Sequence, residues 1–316
     1  MRVIVVGLGV QGKKRQYYAG DDFVCSVDPI NKSANYKTTY DVPLDLYDAA
    51  LVCLPDEPKY KIIRYLLENG KHVLVEKPLW MEKEAGFREL QNLTSLKKLV
   101  CYTAYNHRFE PHLIRMKQLI DSGDLGKIYS CRLFYGNGTA RLVRDSVWRD
   151  QGMGVLADLG SHLLDLCNFW FAQQPVNFEI VVMNNFENKA PDHVVVVNKH
   201  VSPQLIFEMS LLSWRNHFTC DLVAEHGSAH IEALCKWGPS QFSYRHRILP
   251  SGRPVEQKVT LVQDDPTWAL EYKHFKNLAL NNGEANFSTD LWIQQELNRL
   301  SRLSQERGVV NDDHDS

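Results

Sequence analysis

The 316-residue chain lacks a surplus of charge of either sign: Lys+Arg 36 against Asp+Glu 38 leave a formal net charge of −2, and the sequence pI is about 6.6. A protein that grips nucleic acid needs a basic excess to displace the counterions around phosphates, so nucleic acid is not expected as a partner. Long apolar runs are missing too. None approaches the roughly 20 residues that span a bilayer, and the opening run "VIVV" is too short for a signal-peptide core and passes straight into glycines. The expectation is a soluble, cytoplasmic protein with no membrane contact. No CxxC pair occurs among the seven cysteines, which are odd in number, scattered and mostly set in apolar runs. They read as reduced, buried thiols rather than disulfides or zinc ligands, and without HExxH either, no metal is expected. There is no internal repeat and no low-complexity tract.

What is present in the first hundred residues is an alternation. Apolar stretches at 3–6, 24–27, 50–54, 72–75 and 99–103 read as strands, and amphipathic stretches at 10–19, 59–69 and 82–96 as helices. Strands apolar throughout and separated by helices predict a parallel sheet covered on both faces. Between Asp28 and Asp48 the chain is polar and Pro-punctuated, so the helix due there is short or missing. From about Asn106 the character changes. A helix at 111–121, a strand at 127–135 and a long Gly- and Arg-bearing loop at 136–152 precede "GVLADLGSHLLDLCNFWF", in which Leu156, Leu159, Leu163, Leu166 and Trp170 recur at helical steps. Strand-like segments follow at 178–186, 193–200, 205–213, 218–224, 229–234 and 255–262, then helices near 268–281 and 289–306. The fold class is therefore α/β: a doubly wound parallel-sheet domain at 1–105, an α/β domain with an open, mostly antiparallel sheet at 106–306, and a frayed tail at 307–316.

Three constellations carry chemistry. Gly7-Leu8-Gly9-Val10-Gln11-Gly12 is a GxGxxG that directly follows the first strand and opens a helix, the setting in which backbone N–H groups and a helix N-terminus meet a pyrophosphate. Asp28 ends the second strand 21 residues after Gly7, where a carboxylate can accept from an adenosine ribose and repel a 2′-phosphate. The expected cofactor is NAD, with NADP as the alternative. The run Lys13-Lys14-Arg15 reads as the solvated face of the first helix. Next, Glu76-Lys77-Pro78 sits just past the end of the fourth strand. The same sheet edge carries the glycine turn, Asp28 and Leu54-Pro55, so these groups are expected to line one cleft and Lys77 to be functional. Last, Asp158-x-x-x-His162 places a carboxylate and an imidazole on one helical face, the pairing a general base needs near neutral pH. Gly154 and Gly160 remove bulk on either side, which allows a ligand or another backbone to come close.

"VGLGVQG", "VEKP", "YNHRFEP" (Tyr105–Pro111) and "GMGVLADLGSHLLD" (Gly152–Asp165) occur in an order and spacing that resembles the Gfo/Idh/MocA oxidoreductases. The resemblance implies a Rossmann domain followed by an α/β domain, and hydride transfer between a nicotinamide and the hydroxyl or keto carbon of a sugar, cyclitol or nucleotide sugar. It implies catalysis by Lys77, Asp158 and His162, with Asn106 near the cofactor, and Arg108 and Trp148 near the substrate. It also implies a homodimer or homotetramer built through the second sheet. Two other readings stay open: a non-catalytic dinucleotide-binding regulator on the same fold, and a reductase of a non-sugar substrate. Arg132, Arg141, Arg144 and Arg149 fit an anionic substrate or solvated loop charges equally. The chain departs from the family pattern at Gly152-Met153-Gly154, at Glu57-Pro58-Lys59-Tyr60, where relatives carry a His-bearing turn, and in its abbreviated second βα unit.

Overall fold

A computed structural model describes residues 1–146, 149–172, 177–199, 201–281, 283, 285 and 287–312, the last nine as backbone only. They divide into two compact units: residues 1–106 with 267–294, and residues 107–266 with 295–316.

The first unit is a five-stranded parallel sheet of order β2-β1-β3-β4-β5. Its strands are β1 (Val3–Val6), β2 (Phe23–Val27), β3 (Ala49–Val52), β4 (His72–Glu76) and β5 (Cys101–Ala104), connected in part by α1 (Val10–Ala19), α2 (Asp56–Glu68) and α3 (Ala85–Lys97). Every residue of β1 and β3 is buried, because alternate side chains enter two different cores. Ile4, Val6, Ala50, Val52, Val73 and Val75 pack with Ile63, Leu66 and Leu67 of α2 and with Phe87 and Leu90 of α3. Val3, Val5, Ala49, Leu51 and Leu74 face the other way. As anticipated, no α-helix forms between β2 and β3. Two single 3₁₀ turns, Thr39–Asp41 and Leu44–Leu46, take its place, and Tyr47 and Val42 fill the core under them.

One assignment differs from the sequence reading. The stretch 267–294 belongs with the first unit, not with the domain that precedes it in the chain. The cause is cover: α2 and α3 occupy one face of the sheet, and right-handed crossovers leave α1 on the other. That second core is completed by Tyr272 and Phe275 of a later helix, α7 (Thr267–Leu280), with Phe275 fully buried.

The second unit, whose helices include α4 (Pro111–Ser122), α5 (Ala140–Arg144) and α6 (Ser161–Phe171), is built on eight strands. They are β6 (Ile128–Gly136), β7 (Phe178–Asn184), β8 (His193–Asn198), β9 (Gln204–Ser210), β10 (His217–Ala224), β11 (Gly227–Glu232), β12 (Ser240–His246) and β13 (Glu256–Leu261). Their order is β13-β12-β11-β10-β6-β9-β8-β7, with β6 and β9 parallel and every other neighbouring pair antiparallel. Burial alternates along β8 and β10, so one face is cored by Leu133, Phe207, Phe218 and Leu222 while the other carries Arg132, Glu208 and Asp221. The sequence reading passes over β12, whose "SQFSYRH" offers only Phe242 and Tyr244 as an alternating apolar pair. The last helix, α8 (Ser288–Asp312), runs past the point where the sequence predicts it to end. No helix among the described residues is long and apolar enough to cross a membrane.

Candidate active site

In the first unit the carboxyl ends of five parallel strands share one edge, and on it stand the glycine turn after β1, Asp28 after β2, Leu54-Pro55 after β3, Lys77 after β4 and Asn106 after β5. The turn is tight for steric reasons. Gly7 has φ +93°, and a Cβ there would meet the Cys53 carbonyl oxygen at 2.4 Å; one at Gly12 would meet the Gly7 oxygen at 1.9 Å. Gly9 differs: a Cβ would have nothing within 4 Å, and the helix it caps receives no side-chain cap. An open space in front of uncapped N-terminal N–H groups is what a pyrophosphate requires, so these residues fit a dinucleotide. Val10 is 75% exposed at the mouth of this space, with Gln11 also exposed beside it.

Asp28 organises the same turn. Its carboxylate accepts from the N–H of Leu8 at 2.7 Å, of Ile30 at 2.9 Å and of Asn31 at 2.7 Å. Burial pushes its pKa up, but the three N–H donors and Lys37 outweigh it and hold the carboxyl below the usual range. Asn106, buried, donates from Nδ2 to Thr267 Oγ1 at 2.8 Å.

The Glu76 carboxylate takes Arg15 Nε at 2.6 Å. Here the structure corrects the sequence reading, because Arg15 is 1% exposed rather than on a solvated face. Lys13 and Lys14 are exposed as read. The buried position is explained by partners remote in sequence: Glu271 Oε2 at 2.7 Å from Nη1, and the Trp268 ring 4.3 Å from Cζ. Burial disfavours the charged guanidinium, yet Glu271 and Glu76 raise its pKa above the ordinary value. The spacing Gly12, Arg15, Ala19, all buried on α1, was a signal that could have found it. Lys59, at the position of the family's His-bearing turn, is also buried and donates to Asp56 at 2.7 Å and to the Pro78 carbonyl at 3.0 Å.

In the second unit the predicted continuous helix is broken into two kinds of turn. Leu156–Gly160 is a π-helical turn and α6 follows it, so Asp158 lies in the π turn and His162 in the first turn of α6. Wide π turns re-aim side chains and are frequent at functional sites. Asp158 is half-exposed and pairs with Arg149 at 3.5 Å, while its carbonyl accepts from Ser161 Oγ. His162 is 8% exposed, stacks on His107 with ring centroids 4.1 Å apart and planes at 22°, and meets Tyr135 edge-on at 6.0 Å. Burial pushes the Tyr135 phenol far up, with Asp158 and Asp265 adding to it, so the phenol stays neutral. The two glycines give room to protein: a Cβ at Gly154 would meet the Pro191 oxygen at 2.2 Å, and one at Gly160 the Met209 sulfur at 2.9 Å.

Arg108 grips Asp165 through Nε at 2.9 and 3.1 Å and through Nη2. Asp165 is 1% exposed; burial raises its pKa while Arg108 pulls it back. Glu110, also buried, caps α4 through the N–H of His112 and accepts from Cys235 N. "YNHRFEP" thus works largely as a brace, a role its sequence did not announce. Trp148 lies outside the described residues. Arg132 and Arg141 each face a separate glutamate, Glu208 at 3.1 Å and Glu187 at 3.8 Å. Arg144 lines a cavity of about 570 Å³ with Asp150, Phe186 and Lys189. All seven cysteines are free thiols. No group of three metal-ligating side chains occurs among the described residues.

Fold and turn together define an NAD-binding Rossmann protein with an appended eight-stranded α/β domain. Residues 1–105 match the model of the oxidoreductase family with NAD-binding Rossmann fold, and residues 113–230 match that of the GFO/IDH/MocA C-terminal domain. The chain belongs to the GFO/IDH/MocA oxidoreductase family. It is 32% identical over 121 residues to an uncharacterized oxidoreductase of Schizosaccharomyces pombe, C26H5.09c, covering 37% of this chain and 32% of that protein. Identity to an inositol 2-dehydrogenase of Rhizobium meliloti is 26% over 130 residues, covering 41% and 38%. These matches span about a third of the curated relatives' own length. The fold of a levoglucosan dehydrogenase solved with NADH superposes with a TM-score of 0.81 at 16% identity, covering 97% of each chain.

Proposed function

We propose that the protein is an NAD(P)-dependent dehydrogenase acting on a CH–OH group of a sugar or cyclitol. The observation that carries the reading is the shared strand edge of the first unit, where the dinucleotide turn after β1 and Lys77 after β4 stand beyond parallel strands separated only by β3. The activities of an inositol 2-dehydrogenase and a levoglucosan dehydrogenase among its relatives support the substrate class.

The nicotinamide, when bound, supplies the acceptor or donor of the hydride. Lys77 donates a hydrogen bond to the reacting hydroxyl and stabilises the negative charge that grows on its oxygen. His162 takes the hydroxyl proton in oxidation and returns it in reduction, and Asp158 favours its protonated form. The balance is alcohol plus oxidised cofactor giving carbonyl, reduced cofactor and one proton. The sheet face bearing Arg132 and Glu208 is proposed as the surface for a second copy of the chain, and seven free thiols fit a reducing, cytoplasmic setting.

The test is a panel of polyols, aldoses and nucleotide sugars monitored by NADH absorbance, followed by Lys77→Met and His162→Ala on the substrate found. Each variant should keep NADH binding and lose about 10²- to 10⁴-fold in turnover. Wild-type turnover in both variants rejects the assignment.

A further inference from the structure

Arg15 stands in the second turn of α1, and Glu76 immediately precedes Lys77. The guanidinium between them is buried, paired with Glu76 at 2.6 Å, with Glu271 at 2.7 Å, and stacked on Trp268. Burying three charges is costly, and apolar replacements of such clusters are often at least as stable. Stability alone therefore gives no reason for this cluster. Its geometry does. The N-terminus of α1 faces the space that fits the dinucleotide phosphates, whereas the end of β4 carries the ammonium; a planar, five-donor fork joins one to the other. Beyond Lys77, the Pro78 carbonyl is held in turn by the buried Lys59 at 3.0 Å. The residues on both sides of Lys77 are thus fixed to helices that start at the same strand edge.

We propose that Arg15 is a positioning residue, which sets the Lys77 ammonium relative to the dinucleotide turn by tying Glu76 to α1. The proposal rests on the reading of Lys77 as the group beside the nicotinamide. A lysine at position 15 carries the same charge but lacks the planar fork that meets Glu76 through Nε and Glu271 through Nη1, so Arg15→Lys is the informative change, with Glu271→Gln as a milder second.

The experiment uses full-length protein with isotope-labelled lysine, and the probe is NADH alone. The Lys77 Cε–Hε resonance, assigned by its loss in Lys77→Arg, should move when NADH saturates the wild-type protein. In Arg15→Lys, NADH should bind within about threefold of wild type, since the open N–H groups of the turn are untouched, and the Lys77 response should fall to about half or less. With the substrate identified by the panel, kcat should fall about 10- to 100-fold at unchanged cofactor KM, the loss expected of a displaced group. Glu271→Gln should show the same pattern more weakly. A wild-type Lys77 response in both variants overturns the proposal. So does joint loss of NADH binding and melting temperature in both, which assigns Arg15 to the fold alone. A Lys77 resonance that ignores NADH in the wild-type protein overturns the underlying reading instead.

Discussion

Gly12→Ala and Gly9→Ala separate what the dinucleotide turn owes to packing from what it owes to its ligand. At position 12 an added Cβ would sit 1.9 Å from the Gly7 carbonyl oxygen, where real Cβ atoms keep at least 3.0 Å, so a gap of 3.0 − 1.9 = 1.1 Å must open. Overpacking of this kind costs about 1–3 kcal/mol, of which the better helix propensity of Ala recovers about 1 kcal/mol. A net loss of up to about 2 kcal/mol lowers the melting temperature by up to roughly 8 °C in a protein of this size. The same displacement moves the N–H groups facing the phosphates, and losing one charge-assisted hydrogen bond of about 1.5–3 kcal/mol weakens NADH at least tenfold. At position 9 a methyl group meets nothing within 4 Å, and φ is −77°, so the protein should melt at or slightly above the wild-type temperature. Its methyl nevertheless fills the space facing the uncapped N–H groups, and NADH affinity should fall. Thermal unfolding and NADH fluorescence titration read both effects. Wild-type NADH affinity in Gly9→Ala would refute the placement of the pyrophosphate; wild-type melting and affinity in Gly12→Ala would refute the steric account of the turn.

Two further outcomes follow from buried charge. Arg108→Met strands the Asp165 carboxylate, 1% exposed, and should cost about 3–5 kcal/mol in denaturant unfolding, whereas Asp165→Asn leaves only the 27% exposed Arg108 side chain and should cost clearly less. Equal losses would contradict the burial argument. Burial lowers the pKa of His72 and His112, so the unfolded chain binds protons first and stability falls as pH drops below the ordinary histidine value of about 6.5. The His72 ring must also stay neutral for its Nδ1 to accept from Val100 N at 3.1 Å. His72→Gln should flatten that part of the pH–stability curve, and an unchanged slope between pH 6.5 and 5 would count against it.

The parts of the structure that were legible in sequence are those whose cause is local. Val3–Val6, Ala49–Val52 and the Val73-Leu74-Val75 centre of β4 are apolar throughout because both faces are covered, and GxGxxG announces its turn because only glycine tolerates contacts of 2.4 and 1.9 Å. The abbreviated unit after Asp28 was visible in its prolines. What sequence did not reveal depends on partners far along the chain. Arg15 sits in a basic run and is buried only because Glu271 and Trp268 return more than 250 residues later. For the same reason α7 groups with the first unit although it follows the second in the chain. The π turn at Leu156–Gly160 is invisible to a leucine stripe, since a single widened turn barely alters its period. Arg108 has the residue type of an anion ligand, and only the buried Asp165 shows it bracing the helix that carries His162.

The proposed mechanism requires Lys77 and His162 to act on one reacting hydroxyl. A crystal structure with NADH and the polyol found by the panel measures this directly. The expected result is Lys77 Nζ and an imidazole nitrogen of His162 each about 3 Å from the same substrate oxygen. A substrate oxygen held by one of these groups while the other lies well beyond hydrogen-bond reach would contradict it.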